Sequence, residues 1–215
     1  MRQIAASKAA DLAESAKLPF SQKLAASDAT RITGHLVLSE SLNHPVLEVV
    51  KLFNQAVERK VFSKYALAGG LAVEYYGAPI HTEDADFLVV FPESAGGVLD
   101  PSSLYKFFTS QGAAAVGEYL VLHGIKFQMI PANNPLDLEA LASAVTVSEK
   151  GTSFFIITLE YLIALKLRAW RYKDRLHVNH LLDSRVSLNQ GTLSSILRQH
   201  QLESHWNQLL AERGT

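Results

Sequence analysis

The sequence of 215 residues contains no cysteine. Disulfide scaffolds, thiolate metal sites and cysteine nucleophiles are therefore excluded, and this composition leads us to expect a cytoplasmic protein. No run of about 18 apolar residues is present, so we expect no transmembrane helix and no membrane partner. Lys8, Asp11, Glu14 and Lys17 interrupt the alanine-rich first part of the chain, and we expect no signal peptide there.

The chain also lacks a strong charge of either sign. Its 20 Lys and Arg residues and 21 Asp and Glu residues leave a formal net charge of −1, so any basic surface for nucleic acid must be local. Three motifs are absent as well: the Gly-x-Ser-x-Gly of serine hydrolases, the His-Glu-x-x-His of metalloproteases, and the P-loop. What is present is enough apolar side chain, 48% of all residues, to bury a sizeable core.

The spacing of apolar residues predicts an α/β domain with a mixed sheet, followed by a helical C-terminal part. We divide the chain into a partly helical extension at 1–43, an α/β domain at 44–157 and a helical segment at 158–215. The predicted strands are 65–68, 85–91, 118–122, 125–130 and 153–157. The predicted helices are 44–60, 71–76, 100–112, 136–144 and a long one capped by Thr158 that covers 159–173, with more helices to Leu210.

Two short motifs carry the chemistry. Gly69 and Gly70 end a buried strand and enter a helix, where backbone N–H groups and the helix dipole favour a phosphate. Asp84 and Asp86 are two residues apart at the start of the next strand, so their carboxylates share one face of the sheet. A cation between such carboxylates relieves their repulsion, and Mg²⁺ prefers oxygen ligands and also binds nucleotide phosphates.

The stretch from Gly69 to Val89 resembles the nucleotidyltransferase superfamily, the group built on the DNA polymerase β palm, and above all its small prokaryotic members that include abortive-infection toxins. Those proteins read Gly-Gly, a short helix, then Pro-Arg-x-Thr-x-Asp-x-Asp. The C-terminal part resembles their "KL-x-A … KD" helix at 159–177, and the likeness covers roughly residues 64–185. The resemblance implies a nucleotidyltransferase-type mixed sheet flanked by helices, and transfer of a nucleoside monophosphate from an NTP to a hydroxyl acceptor with Mg²⁺ or Mn²⁺.

The sequence departs from this pattern at two positions. Ile80 replaces the usual Arg after Pro, with His81 as a poor substitute. Gln128 stands where active members carry a third carboxylate, and an amide cannot act as a base near neutral pH. Glu118, on the partner strand of the hairpin, and Glu74, one turn into the helix after the glycines, are the two alternatives for that carboxylate.

The resemblance also assigns Lys166 to the phosphates, with Lys173 and Asp174 as further contributors to nucleotide binding. Helical spacing places these residues on one face of the long helix together with Trp170 and His177. This is the most basic stretch of the chain, with Arg168, Arg171, Lys173 and Arg175. Because Trp170 and Tyr172 are interleaved with these charges, the stretch suits either an RNA acceptor or a solvated surface. His177 and His180 lack a third ligand at metal-binding spacing.

Two function classes follow. In the first, Gly69 and Gly70 cradle phosphates, Asp84 and Asp86 hold the metal, and Lys166 neutralises phosphate charge while RNA, protein or a small molecule accepts the nucleotide. In the second, the missing carboxylate makes the chain a reduced or inactive relative that binds a nucleotide or a partner, in a regulatory or toxin–antitoxin role. Whether Gln128 alone faces the aspartates discriminates between them.

Overall fold

The structure is a computed structural model, which describes residues 44–91, 101–184 and 186–214. The predicted N-terminal extension and Asp100, which begins one predicted helix, lie outside the described residues. No helix in the described ranges is long and apolar enough to cross a membrane.

The described residues form one mixed sheet of seven strands. The strands are β1 (Tyr65–Ala68), β2 (Asp84–Val89), β3 (Ala114–Val116), β4 (Tyr119–Leu122), β5 (Ile125–Pro131), β6 (Val145–Glu149) and β7 (Thr152–Ile156). Their order across the sheet is β3-β4-β5-β2-β1-β7-β6. The pairs β2–β5 and β1–β7 are parallel, whereas the other neighbours are antiparallel. The predicted mixed sheet is confirmed.

Eight helices accompany the sheet in the part of the chain that the structure describes. They are α1 (His44–Glu58), α2 (Gly69–Tyr75), α3 (Ser102–Ser110), α4 (Pro135–Ala142), α5 (Leu159–Ala169), α6 (Tyr172–Asp183), α7 (Gln190–Gln199) and α8 (Glu203–Arg213). Asn134 caps α4 by accepting from the backbone N–H of Asp137 at 3.1 Å. Thr158 precedes α5 but makes no such side-chain hydrogen bond, so the predicted cap is wrong in that respect.

One face of the sheet is closed by an aromatic core. Phe53 of α1 stacks on Phe87 of β2 with ring centroids 3.9 Å apart, and it also contacts Phe108 of α3 and Phe127 of β5 at 4.8 and 5.8 Å. All four side chains are fully buried. Because side chains alternate along a strand, the neighbouring positions on β2 and β5 point to the opposite face, where polar groups are free to form a site.

The long helix predicted for 159–173 is wrong: α5 stops at Ala169 and α6 starts at Tyr172. Trp170 takes a left-handed conformation at φ 52° between them, and Arg171 is extended. The residues predicted to share one helical face therefore lie on two helices and the turn between them.

Two strands were not predicted, β3 and β6. The sequence predicts neither a helix nor a strand for residues 145–149. In the structure they pair with β7 through a turn in which Lys150 and Gly151 both have positive φ. That conformation matches the right-handed twist of a hairpin. The predicted hairpin at His123 and Gly124 is confirmed, with φ of 50° and 81°.

Candidate functional site

Gly69 lies directly against the carboxylate of Asp86. Asp86 on β2 pairs with Ala68, the last residue of β1, and Gly69 follows with φ +63°. A Cβ atom on Gly69 would come within 1.8 Å of Asp86 Oδ2, so only glycine fits this position. The expected proximity of the two glycines to the two aspartates is confirmed, although both glycines belong to α2 itself.

Thr82 orients the other aspartate. Its Oγ1 donates a hydrogen bond to Asp84 Oδ1 at 2.6 Å, and the backbone of Gly70 packs against the same side chain, where a Cβ would lie 2.9 Å from Oγ1. Thr82 stands at the threonine position of the motif that the chain resembles, but the sequence analysis assigned it no role. The available signal was that threonine two residues before an aspartate, since Ser and Thr often make such local hydrogen bonds.

Gln128 occupies the position beside Asp86 on the neighbouring strand. The two residues are register partners on the parallel pair β2–β5, and Gln128 Nε2 donates to Asp86 Oδ1 at 2.5 Å. Glu118 lies in the turn between β3 and β4 and not on a strand, so its predicted placement on the hairpin is wrong. Glu74 sits on α2, and neither Glu74 nor Glu118 is among the charged groups that shift the pKa of Asp86.

A buried ion cluster lies on the helical side. Asp174, fully buried on α6, accepts from Lys166 Nζ at 3.1 Å and from Arg171 Nε at 2.6 Å. Burial alone would raise the pKa of Asp174, but these two cations hold it below its usual range. Lys166 is itself only 8% exposed. Asp174 thus serves to hold Lys166 in place.

The positive charges of this cluster face the aspartates. Burial is the main cause that raises the pKa of the Asp86 carboxyl, and the charge of Asp84 adds to it. The Gln128 hydrogen bond and the charges of Lys166 and Lys173 oppose that rise. We use the name cleft for the region between the carboxylates of Asp84 and Asp86 on the sheet and the side chains of Lys166 and Lys173 on the helices. Its polarity suits a ligand that carries both phosphates and a cation.

Comparison with solved structures gives the fold a known counterpart. A nucleotidyltransferase-like antigenic protein from Paracoccidioides brasiliensis superimposes with a TM-score of 0.52 at 14% identity, over 80% of this chain and 90% of that one. The chain has a nucleotidyltransferase fold. The antibiotic-resistance factor ANT(2'')-Ia also matches, with a TM-score of 0.48 and 11% identity over 79% of this chain and 97% of the other. No protein-family model matches the sequence, and no curated protein matches it.

The sequence predicts a divalent metal at Asp84 and Asp86, and the donor set here suits one such ion. No group of three or more His, Cys, Asp or Glu residues that suits a metal occurs in the described ranges. Mg²⁺, however, commonly uses one or two protein carboxylates together with water and substrate phosphates. Oδ1 of Asp84 accepts a hydrogen bond from Thr82, and Oδ1 of Asp86 accepts one from Gln128, whereas Oδ2 of neither aspartate accepts a hydrogen bond from the described residues.

Several side chains of the basic stretch at 168–175 contact other residues of this nucleotidyltransferase fold. Arg168 donates to Asn134 and Asp137, both at 2.6 Å. Trp170 stacks on His205 with centroids 4.1 Å apart and a 10° interplanar angle. Only Tyr172, 71% exposed, keeps an accessible aromatic face. Of the two aromatic residues that suggested an RNA acceptor, only Tyr172 could therefore stack on a base.

His177 is a neutral residue on the side of the cleft that α5 and α6 form, which we call the helical wall. Burial lowers its pKa to about 4, and the charges of Lys166 and Lys173 act in the same direction. Its Nδ1 is buried and has no hydrogen-bond partner among the described residues. His177 therefore adds no charge at neutral pH, and the positive potential of the wall comes from the lysines and Arg171.

Proposed function

We propose that the cleft binds a nucleoside triphosphate together with one Mg²⁺ and transfers its nucleoside monophosphate to a hydroxyl acceptor. One observation carries the proposal: the carboxylate of Asp86 on β2 packs directly against Gly69, which opens α2, and lies within electrostatic reach of Lys166 on α5 and Lys173 on α6. A triphosphate with its cation complements such a pair of oppositely charged walls.

Each residue has a distinct part in this proposal. Asp84 and Asp86 would hold Mg²⁺ through Oδ2, and the ion would withdraw charge from the phosphates. The backbone N–H groups at Gly69 and Gly70 would contact the phosphates, next to the Asp86 carboxylate and the Thr82 side chain that pack against these glycines. Lys166, held by Asp174, would stabilise negative charge on the departing pyrophosphate, and Lys173 would assist it.

A binding-only role is the second candidate, and Gln128 favours it. The amide donates to Asp86 and offers no base for an acceptor hydroxyl, whereas such a base contributes about 10²–10⁴-fold to rate. In that role the chain would sense a nucleotide and regulate a partner, as in the toxin–antitoxin systems of the proteins whose motifs it resembles.

Titration calorimetry with each NTP and Mg²⁺ tests the shared part of both proposals. Binding should be lost in Asp86→Asn and kept in Asp183→Asn, which removes a carboxylate on the protein surface that pairs with Arg213. Absence of binding by the unmodified protein for every NTP would refute both proposals.

A transfer assay separates the two candidates. The protein is incubated with α-labelled NTP and fractions of RNA, protein and small molecules from a cell lysate. Pyrophosphate release with label on an acceptor supports the enzyme, and NTP binding without release in any fraction supports the binding role.

A further inference from the structure

Tyr119 continues the row of site residues across the sheet. The antiparallel register of β4 and β5 pairs Leu120 with Phe127, and the same register places Tyr119 opposite Gln128. Gln128 in turn pairs with Asp86. Because paired residues on adjacent strands point to one face, Tyr119, Gln128 and Asp86 line the same side of the cleft.

The phenol of Tyr119 is available in that cleft. The side chain is partly exposed, and its Oη has no hydrogen-bond partner in the ranges that the structure describes. Desolvation raises the pKa of Tyr119, and the negative charges of Glu118, Asp84 and Asp86 act in the same direction. The backbones of Tyr119 and Asp86 are two strand spacings apart, about 10 Å, and Gln128 lies on the strand between them, so a phosphate would sit above the Gln128 side chain.

The amide at Gln128 determines which hydroxyl can react here. Serine and threonine hydroxyls are weak nucleophiles that need an adjacent base, and Gln128 supplies none. A phenol has an ordinary pKa of about 10, and although its surroundings raise the pKa of Tyr119, it remains far more acidic than an aliphatic hydroxyl and depends less on a base. A site that lacks the base therefore favours a phenolic acceptor over an aliphatic one.

We propose that Tyr119 is a self-modification site, at which the chain transfers a nucleoside monophosphate from a bound NTP onto its own phenol. The inference rests on the proposed NTP binding and transfer. Tyr119 Oη attacks the α-phosphorus and forms an O–P bond. The bond from that phosphorus to the bridging oxygen breaks, pyrophosphate leaves with the electron pair, and the phenolic proton passes to solvent. The product is a tyrosyl phosphodiester that occupies the acceptor side of the cleft.

The test uses the full chain with α-labelled NTP and Mg²⁺ and no added acceptor, followed by peptide mapping with mass spectrometry. The expected label is on Tyr119, at one nucleoside monophosphate per chain. It should fall to background in Tyr119→Phe and persist in Tyr172→Phe, the matched control because Tyr172 is the more exposed phenol. The initial rate per molecule should not depend on protein concentration, since the tyrosine lines its own cleft.

Calorimetry on the same protein distinguishes the failures. If NTP binds and another acceptor is labelled while Tyr119 is not, the self-modification proposal is overturned and the proposed function stands. Label on any other residue of the unmodified chain, or a rate per molecule that rises with protein concentration, also overturns it. If NTP binds and nothing is labelled, the binding-only role is favoured and Tyr119 is not an acceptor. If no NTP binds, both proposals fall.

Discussion

Gly69→Ala offers a sharp test of the cleft, because the structure separates its two effects. The first effect is backbone strain, since an alanine at φ +63° adopts a left-handed conformation that costs about 1–2 kcal/mol of folding free energy. The second is a collision, since the new Cβ would lie 1.8 Å from Asp86 Oδ2. Contacts of a real Cβ essentially never fall below 3.0 Å, so the carboxylate must move by at least about 1.2 Å.

Gly77→Ala isolates the strain. Gly77 follows the same helix at φ +81°, but a Cβ there meets nothing within 4 Å. The left-handed backbone should therefore lower the free energy of unfolding of both variants by about 1–2 kcal/mol. This loss is smaller by about a few tenths of a kcal/mol because alanine also restricts the unfolded chain. Only Gly69→Ala should lose more, about 1–3 kcal/mol further, because moving Asp86 breaks its buried hydrogen bond to Gln128.

Urea unfolding measures the stability difference, and calorimetry with Mg²⁺–NTP measures the function. A displacement of about 1 Å in a reacting or binding group commonly costs on the order of 10²-fold, so NTP affinity should fall strongly in Gly69→Ala and remain in Gly77→Ala. Equal stability losses in the two variants, or unchanged NTP binding in Gly69→Ala, would show that this close approach does not shape the site.

Three further predictions concern the walls of the cleft. Gln128→Glu should lower the stability of the metal-free protein, because it adds a third negative charge beside the two aspartates. Mg²⁺ or Mn²⁺ should raise the melting temperature of this variant more than that of the unmodified protein. An equal rise in the two proteins would exclude Gln128 from the metal site. Asp174→Asn should cost about 3–5 kcal/mol in denaturant unfolding, because it leaves Lys166 without its buried partner, and a cost below about 1 kcal/mol would contradict the ion cluster. His177, whose folded pKa of about 4 is below its ordinary 6.5, should reach half protonation by NMR only near pH 4. Since the unfolded chain binds the proton first, the free energy of unfolding should fall as pH drops from 6.5 toward 4, and it should fall less in His177→Gln.

The site residues that lie on the sheet could be predicted from local sequence patterns. The strand 65–68 was predicted with its observed bounds because four apolar residues end at two glycines, a signal contained within six positions. Asp84 and Asp86 share a face for the same local reason, the two-residue period of a strand. Gln128 was also expected beside them, and the register of β5 against β2 bears that out.

The elements that were not predicted carry short local patterns or depend on contacts in the folded chain. Residues 145–149 alternate apolar and polar side chains, as a strand does, but over few positions, and they form a strand by pairing with β7. The roles of Thr82 and Arg171 were not predicted because they arise from single hydrogen bonds, to Asp84 and Asp174, whose geometry is fixed only when the chain is folded.

The break at Trp170 is the feature on which the helical wall depends. No glycine or proline marks it, and the apolar period continues through it, so sequence predicts one helix. In a continuous helix Lys166 and Asp174, eight residues apart, would be separated by about 12 Å along the axis. In the structure their charged atoms are 3.1 Å apart. The left-handed Trp170, packed between His205 and Arg175, turns α6 back so that Asp174 meets Lys166. The position of Lys166, the lysine proposed to contact the phosphates, therefore depends on the packing of Trp170 against His205 of α8, a tertiary contact with a residue 35 positions further along the chain.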